Sequence, residues 1–541
     1  MDFKNLFIFD SLSKLVGFFI VLFTILISIY SARFIKSRKI TYYIWIFLTA
    51  IMSLGVIFAD NLILITIFWG FLGLSLFKLI NLYDDENASN TAKKTFIIIG
   101  ATDGFLLFGF LLYNFLTSSM SLTANKLIIN NSLSYVSFIF IAIACFAKAG
   151  CMPMHTWIPE TAKHAPLPVV AYLPASLDKL LGIYLLVRIV KDSFFLDITA
   201  KFTLIIAGAV TVILAVMMAI VQHDIKKLLG YHAISQVGYM VLGIGCATPI
   251  GIAAGLFHMI NHAIYKCCLF LDAGNVEKET GTTELHNLGG LARFMPVTFT
   301  TFIIAAFSIS GIPPLNGFVS KWMIYQGLSD FMNSLNSYNL KIIVALALLS
   351  ALIGSGLTLA SFLKVISSVF LGNTRKHAKE SNFFLLLPVV VLAFLCIIFG
   401  IFAYSTILKS IEAATGNFNM TGLWQPIGAT ALIAISIVVG LIIFKFSSQT
   451  LRVSPTYTGG EELNPKEEVK IEDFYATISE IPFLKRIYAL AENKAFDIYE
   501  QLKKVTFVLS GLLKKLHNGV LPTYLIWCLI GMIGLFFVFF K

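Results

Sequence analysis

Lys148, Asp178, Lys179, His258, His262, Lys266 and Lys321 all stand inside long apolar stretches of the chain. A charge held near the centre of a bilayer costs a few kcal/mol or more, so each of these groups needs a reason to be there. Positions 258, 262 and 266 in FHMINHAIYK are successive i+4 steps and share one face of a helix. A histidine exchanges its proton near neutral pH, and a lysine among apolar neighbours gives its proton up more readily than one in water. A row of such groups can hand protons along. Two histidines at i and i+4 could also hold zinc, but no third ligand with suitable spacing accompanies them. Asp103 in GATDGFLLFG, Asp178 in LPASLDKLLGIY and Asp60 at the start of the third span are candidate acidic partners, with Asp60 and Asp272, near expected helix ends, reading as interfacial. Lys226 or Lys227 in HDIKKLLGYH marks a helix entrance. Asp178 and Lys179 point about 100° apart on a helix and need not pair with each other.

The surroundings of these groups identify the solvent. Of 541 residues, 58% are hydrophobic and 13% charged, and the mean hydropathy is +0.85, which excludes a water-soluble globular domain. Apolar runs of about 20 residues recur along the chain, each long enough as a helix to cross about 30 Å of hydrocarbon. Barrel strands would instead alternate polar and apolar residues. The net charge of +11 lies in short loops rather than in one patch, so it reads as a topology signal and nucleic acid is not an expected partner. The seven cysteines, Cys145, Cys151, Cys246, Cys267, Cys268, Cys396 and Cys528, lie inside apolar segments without C-x-x-C spacing. Disulfides, metal sites and iron–sulfur ligation are therefore not expected, and no cofactor is expected in this chain. The first apolar stretch is long and lacks a small-residue cleavage site, so no cleavable signal peptide is expected.

These features predict an all-α polytopic membrane protein of about 14 transmembrane helices, near residues 11–33, 41–59, 61–82, 94–116, 133–158, 166–190, 201–222, 228–246, 249–273, 297–328, 339–371, 382–404, 425–446 and 522–540. Alternate loops carry Arg33, Lys36, Arg38 and Lys39; Lys93 and Lys94; Lys163; Lys226 and Lys227; and Arg375, Lys376 and Lys379. Under the positive-inside rule those loops are cytoplasmic and both termini face outward. Gly150 and Pro153 interrupt the fifth span close to Lys148, and Gly311, Pro313, Pro314 and Gly317 interrupt the tenth close to Lys321. Broken helices at membrane depth are tolerated where they line a polar cavity, and paired breaks in two halves mark a transport site. An offset of five spans makes the two run in opposite directions. This predicts two inverted five-helix repeats, each with a broken helix and one lysine.

The expected organisation is N-terminal helices over 1–93, a core with the repeats over 94–371 (the first beginning near 41), C-terminal helices over 372–446, a cytoplasmic segment over 447–521 and a final transmembrane helix over 522–540. That cytoplasmic segment begins with the polar run Thr458-Gly459-Gly460-Glu461-Glu462. From Phe474 to about Leu516 it reads as amphipathic helix with Lys485, Arg486, Lys503, Lys504, Lys514 and Lys515. Such a helix either lies on the cytoplasmic leaflet or reaches sideways to clasp neighbouring membrane subunits.

FDSLSKLVGFF, ADNLILITIFWGFLGLSLF, AKAGCMPMHTWIPET followed by APLPVVAYLPASLDKLLGIYLLVR, VQHDIKKLLGYHAISQVGYMVLGIG, FHMINHAIYKCCLFLDAGNV and GIPPLNGFVSKW appear in that order. Together they resemble the antiporter-like subunits shared by respiratory complex I, energy-converting membrane-bound hydrogenases and Mrp-type sodium/proton antiporters. The likeness covers about residues 8 to 330. It implies that Lys148 is a central proton carrier, and that Lys321, His258, His262 and Lys266 continue the row, with Lys226 at the D-I-K-x-x-L-x-Y position. Two departures stand out. The family's glutamate after the third-span tryptophan is replaced in Phe68-Trp69-Gly70, and Pro174 stands where a histidine is usual; Asp178 is the candidate replacement for the acid. The chain also begins near the family's third helix, which implies that two N-terminal spans of the longest members are lacking.

The resemblance implies a multi-pass subunit of the cell inner (cytoplasmic) membrane that moves protons, or sodium ions, within a complex I-like or hydrogenase-like assembly. Its partners would be other membrane subunits and a peripheral redox arm, and any iron–sulfur, flavin or nickel–iron centres would belong to those partners. A stand-alone or Mrp-type cation/proton antiporter, a membrane subunit of an inorganic-carbon uptake complex and a purely structural subunit are the competing readings.

Overall fold

The computed structural model describes residues 6–419, 426–446, 478, 481–517 and 519–539. They fall in two compact units, Met1–Ile481 and Pro482–Lys541. In the first unit the chain runs through α1 (Ser11–Phe34), α2 (Lys39–Phe58), α3 (Leu62–Ile80), α4 (Glu86–Thr117), α5 (Ser132–Ala149), α6 (Trp157–His164) and α7 (Leu167–Ser193). It continues through α8 (Ile198–Ile220), α9 (Ile225–Gly245), α10 (Pro249–Thr280), α11 (Pro296–Ser310), α12 (Asn316–Ser334), α13 (Tyr338–Val369), α14 (Phe383–Ile401), α15 (Ile407–Thr415) and α16 (Pro426–Phe446). A short parallel pair, β1 (Leu127–Ile128) with β2 (Phe194–Phe195), ties the loops after α4 and α7. The second unit holds α17 (Pro482–Glu492), α18 (Ile498–Leu516) and α19 (Leu521–Phe539).

Eleven helices among the described residues are long and apolar enough to cross a bilayer. α9, α10 and the broken pair α11 and α12 occupy the remaining three of the fourteen segments expected from the sequence. The exceptions have a physical reason: α9 and α10 carry the histidines, lysines and amides that lower their hydropathy, and they are buried among other helices instead of facing lipid. Together with α7 they form the centre of the unit. Peripheral helices show apolar faces to the membrane, as with Phe18 and Ile25 on α1 or Ile44 and Ile51 on α2. Polar caps start the helices where orphan amides need acceptors. Asp10 takes the Ser13 amide at 2.9 Å and Asp224 the Lys227 amide at 2.8 Å.

Both expected breaks are present. α5 stops at Gly150 (φ 83°) and α11 at Gly311 (φ 81°), in the left-handed region that favours glycine. A Cβ at position 150 would lie 3.0 Å from Lys179 Nζ, and one at 311 would lie 3.1 Å from Lys321 Cδ. At Gly150 the nearest atom to such a Cβ is Ile158 Cδ1, with the Lys179 ammonium beyond it, whereas at Gly311 the Lys321 side chain itself is the neighbour. In α7 the segment Leu173–Leu177 forms a π-helical turn around Pro174. Proline cannot donate the usual helix hydrogen bond, and the wider turn shifts the register of everything after it, beginning with Asp178.

Asp272 differs from its interfacial expectation. α10 continues to Thr280, so Asp272 is fully buried and accepts the Thr301 hydroxyl at 2.9 Å. Asp60, between α2 and α3, is also buried and takes the Ser121 hydroxyl and the Thr123 amide. Lys94, expected in a basic loop, lies within α4 and pairs with Glu160 at 2.8 Å. Of the segment expected over 447–521, residues 447–477, 479–480 and 518, with the run at 458–462, lie outside the described residues. The amphipathic part is present as α17 and α18, separated by a turn, with Leu502, Val505, Val508 and Leu509 of α18 exposed.

Candidate functional site

Lys148 occupies the last turn of α5 and is completely buried. Its ammonium stands 3.6 Å from Asp178 Oδ1 on α7 and 5.5 Å from the centre of the Trp69 ring. Asp103 on α4 lies within electrostatic reach of Lys148, and a Cβ added to Gly73 would come 3.8 Å from its Oδ2. Position 70 is different: it is exposed, and a Cβ there would meet nothing within 4 Å. The carboxylate beside Lys148 therefore comes from α7 rather than from α3.

Lys179, next in sequence to Asp178, points elsewhere, with its ammonium 5.9 Å from the Trp157 ring centre. It is within electrostatic reach of His262 and Lys266 on α10. Lys179 thus stands between the first broken helix and the central helix.

On α10, His258 Nδ1 is 2.9 Å from Ser320 Oγ and Nε2 is 3.2 Å from Gln236 Oε1. Both ring nitrogens of His258 are thus engaged by polar side chains, and the tautomer sets which of them donates. His262 is buried with neither ring nitrogen hydrogen-bonded to protein, beside Tyr265. Lys266 donates to the Leu229 carbonyl at 2.9 Å. Lys321, in the second turn of α12, donates to the Ile309 carbonyl at 2.9 Å and to Ser355 Oγ at 3.1 Å, with Tyr239 beneath its ammonium at 4.6 Å. His258 is within electrostatic reach of Lys321. Asn261 and Asn316 clasp each other across α10 and α12 through two 2.9 Å hydrogen bonds and hold the second break against the central helix.

Lys148, Asp178, Lys179, His258, His262, Lys266 and Lys321 are each buried, and Asp103 is part-buried; Lys148 meets Asp178, while Lys179 lies within electrostatic reach of His262 and Lys266, and Lys321 of His258. Lys226 stays at the rim, partly exposed and paired with Glu277 at 2.7 Å. Sequence reasoning passed over Asn261, Asn316, Gln236 and Ser320. The available signal was their polarity inside otherwise apolar spans. Arg188 was also passed over: buried in α7, it makes two 2.6 Å bonds to the Asp10 carboxylate.

Residues 59–354 match the family described as NADH:quinone oxidoreductase/Mrp antiporter, transmembrane. The chain belongs to this family and is a multi-pass membrane protein. The Na(+)/H(+) antiporter subunit A1 of Staphylococcus haemolyticus is 30% identical over 484 residues, covering 83% of this chain and 60% of the relative. Its Staphylococcus aureus (strain Newman) counterpart is 31% identical over 433 residues, covering 74% and 54%. This chain spans about 60% of the length of the first of these relatives. Among solved structures, a chain of the membrane-bound sulfane sulfur reductase, an archaeal respiratory membrane complex, superposes with a TM-score of 0.81 at 22% identity, covering 97% of this chain and 88% of that one. A chain of the Mrp complex from Dietzia sp. DQ12-45-1b gives 0.69 at 25% identity, with 94% and 56% covered. A chain of Thermus thermophilus respiratory complex I gives 0.63 at 20% identity, with 75% and 87% covered. The first and third likenesses establish the shared fold alone.

Proposed function

We propose that this chain is the proton-carrying, cation-translocating subunit of a multi-subunit assembly in the cytoplasmic membrane. The observation that supports the reading is the set of buried titratable side chains on α5, α7, α10 and α12, Lys148, Asp178, Lys179, His258, His262, Lys266 and Lys321, which we read as one line. Two unit charges about 8 Å apart at an effective dielectric near 20 interact by about 2 kcal/mol, or roughly 1.5 pKa units. A charge arriving at one member of the line therefore eases release of a proton from the next, and a push at one end travels to the other.

In the redox-driven form of this proposal, electron transfer in a peripheral arm, with cofactors held by partner subunits, supplies that push through neighbouring membrane subunits. The fold likeness to chains of two respiratory complexes supports this form. The relatives named as Na(+)/H(+) antiporter subunits favour a second form, in which a sodium gradient and a proton gradient are exchanged without electron transfer. Copurification of the native assembly with its partners, followed by substrate-driven and gradient-driven uptake of protons and sodium in sealed vesicles, separates the two. Redox partners and substrate-driven uptake support the first form. Exchange without a redox substrate supports the second, and an assembly that moves neither ion contradicts both.

A further inference from the structure

The polar surroundings of Lys321 continue beyond it along a single helix. α13 carries Ser355, Thr358, Ser361 and Lys364 at steps of three, which places successive Cβ atoms about 5–6 Å apart on a helix surface. Ser355 Oγ receives the Lys321 ammonium at 3.1 Å and lies 2.9 Å from the Tyr325 hydroxyl and 3.0 Å from that of Tyr239. Thr358, Ser361 and Lys364 are buried. Ser361 Oγ is 2.8 Å from Nε2 of His232 on α9. One turn further on, Lys364 donates to the carbonyls of Ile220 and Gln222, at 2.9 and 2.8 Å, where α8 ends.

His232 is the junction. It is completely buried, its Nδ1 has no protein hydrogen-bond partner, and it lies within electrostatic reach of both Lys266 and Lys321. Phe362 flanks it at 4.9 Å and also lies 5.7 Å from the Lys266 ammonium. Placing a histidine, a lysine and three hydroxyls in a membrane-embedded core where apolar side chains would pack without desolvation cost calls for a use. The ladder also has a direction. Gln222 leads into the loop before Lys226 and Lys227, and α13 ends shortly before Arg375, Lys376 and Lys379; the positive-inside rule puts both loops on the cytoplasmic side.

We propose that His232 and the Ser355–Thr358–Ser361–Lys364 ladder form a cytoplasmic access branch through which protons pass between the Lys266 and Lys321 carriers and the inner membrane face at Gln222. The inference rests on the proton-carrying reading above. A proton taken up at His232 Nδ1 is matched by release of the Nε2 proton to Ser361 Oγ, whose own proton moves on through a bridging water toward Lys364. The charge advances and Ser361 is regenerated, while His232 is left as its other tautomer, which a ring rotation returns to the starting state before the next proton.

The test uses the complete assembly in sealed vesicles of both orientations, with Thr358→Cys and Ser361→Cys exposed to a membrane-impermeant thiosulfonate reagent. Labelling from the cytoplasmic face, faster than that of the native cysteines in the unmodified chain, is the expected result. Labelling no faster than native, or only from the opposite face, overturns the branch. In parallel, His232→Ala and Lys364→Ala, with assembly verified, are expected to lower proton uptake on the order of tenfold or more, the scale of a lost proton-transfer group. Unchanged uptake in both overturns the branch as a proton carrier. If the unmodified assembly takes up no protons, the parent reading fails, whereas labelling still decides whether the cytoplasm reaches the ladder.

Discussion

Lys148 Nζ and Asp178 Oδ1 stand 3.6 Å apart with neither side chain reaching solvent. Breaking a buried pair from one side strands the other charge at a cost of about 3–5 kcal/mol, whereas replacing both partners with apolar groups of similar volume is close to neutral. Lys148→Met alone and Asp178→Leu alone are expected to lower the melting temperature of the purified assembly, and the double variant to recover most of the loss. A double variant no more stable than the worse single one shows that the two do not act as a pair. Ion uptake is expected to be lost in all three.

Gly70 and Gly73 on α3 predict a contrast between two positions one turn apart. Gly70→Ala adds a methyl group into open space within α3 and is expected to stabilise the helix by about 0.5–1 kcal/mol and leave uptake intact. Gly73→Asp places a second carboxylate beside Asp103 and is expected to reduce uptake, because two acids side by side hold a shared proton and weaken the field on Lys148. Equal effects of the two substitutions contradict the placement of Asp103 at the first half of the line.

The sequence made some of this architecture visible and hid other parts for definite reasons. Long apolar runs announce membrane helices, and Gly150 and Gly311 beside prolines announce the breaks. The i+4 spacing of His258, His262 and Lys266 announces a shared face because all three lie on one helix. Contacts between distant helices leave no such local mark. That Asp178 turns to Lys148 while Lys179 turns away depends on the π-helical turn at Leu173–Leu177. Asp272 read as interfacial because apolar composition fades before α10 ends; neighbouring helices bury Asp272 and Asn275, and exposure begins only at Glu277 to Glu279. His232 passed unnoticed in LGYHAISQ because its partner, Ser361, is 129 residues away.

Arg188 and Asp10 give a pH signature. Burial alone would raise the Asp10 pKa, but the Arg188 guanidinium and the Ser13 amide outweigh it and hold the carboxyl well below the usual carboxylate range. A carboxylate whose folded pKa is depressed contributes stability that is fully present above its unfolded value of about 3.9 and is lost as pH falls from there toward the folded value. Asp10→Asn is therefore expected to melt lower than the parent at pH 7, with the gap narrowing in acid. A gap that widens in acid contradicts the pairing. Arg188→Lys cannot reproduce the two-pronged contact and is expected to cost about 1.5–3 kcal/mol at neutral pH.

Proton and sodium uptake in sealed vesicles, compared for the unmodified assembly and for Lys148→Ala, Lys321→Ala and His258→Ala with assembly verified in each, tests the buried line most directly. Loss of uptake in all three with the assembly intact is the expected result, and the ion whose uptake disappears is the cargo. Unchanged uptake in all three contradicts a relay through these side chains and leaves the chain as a structural subunit.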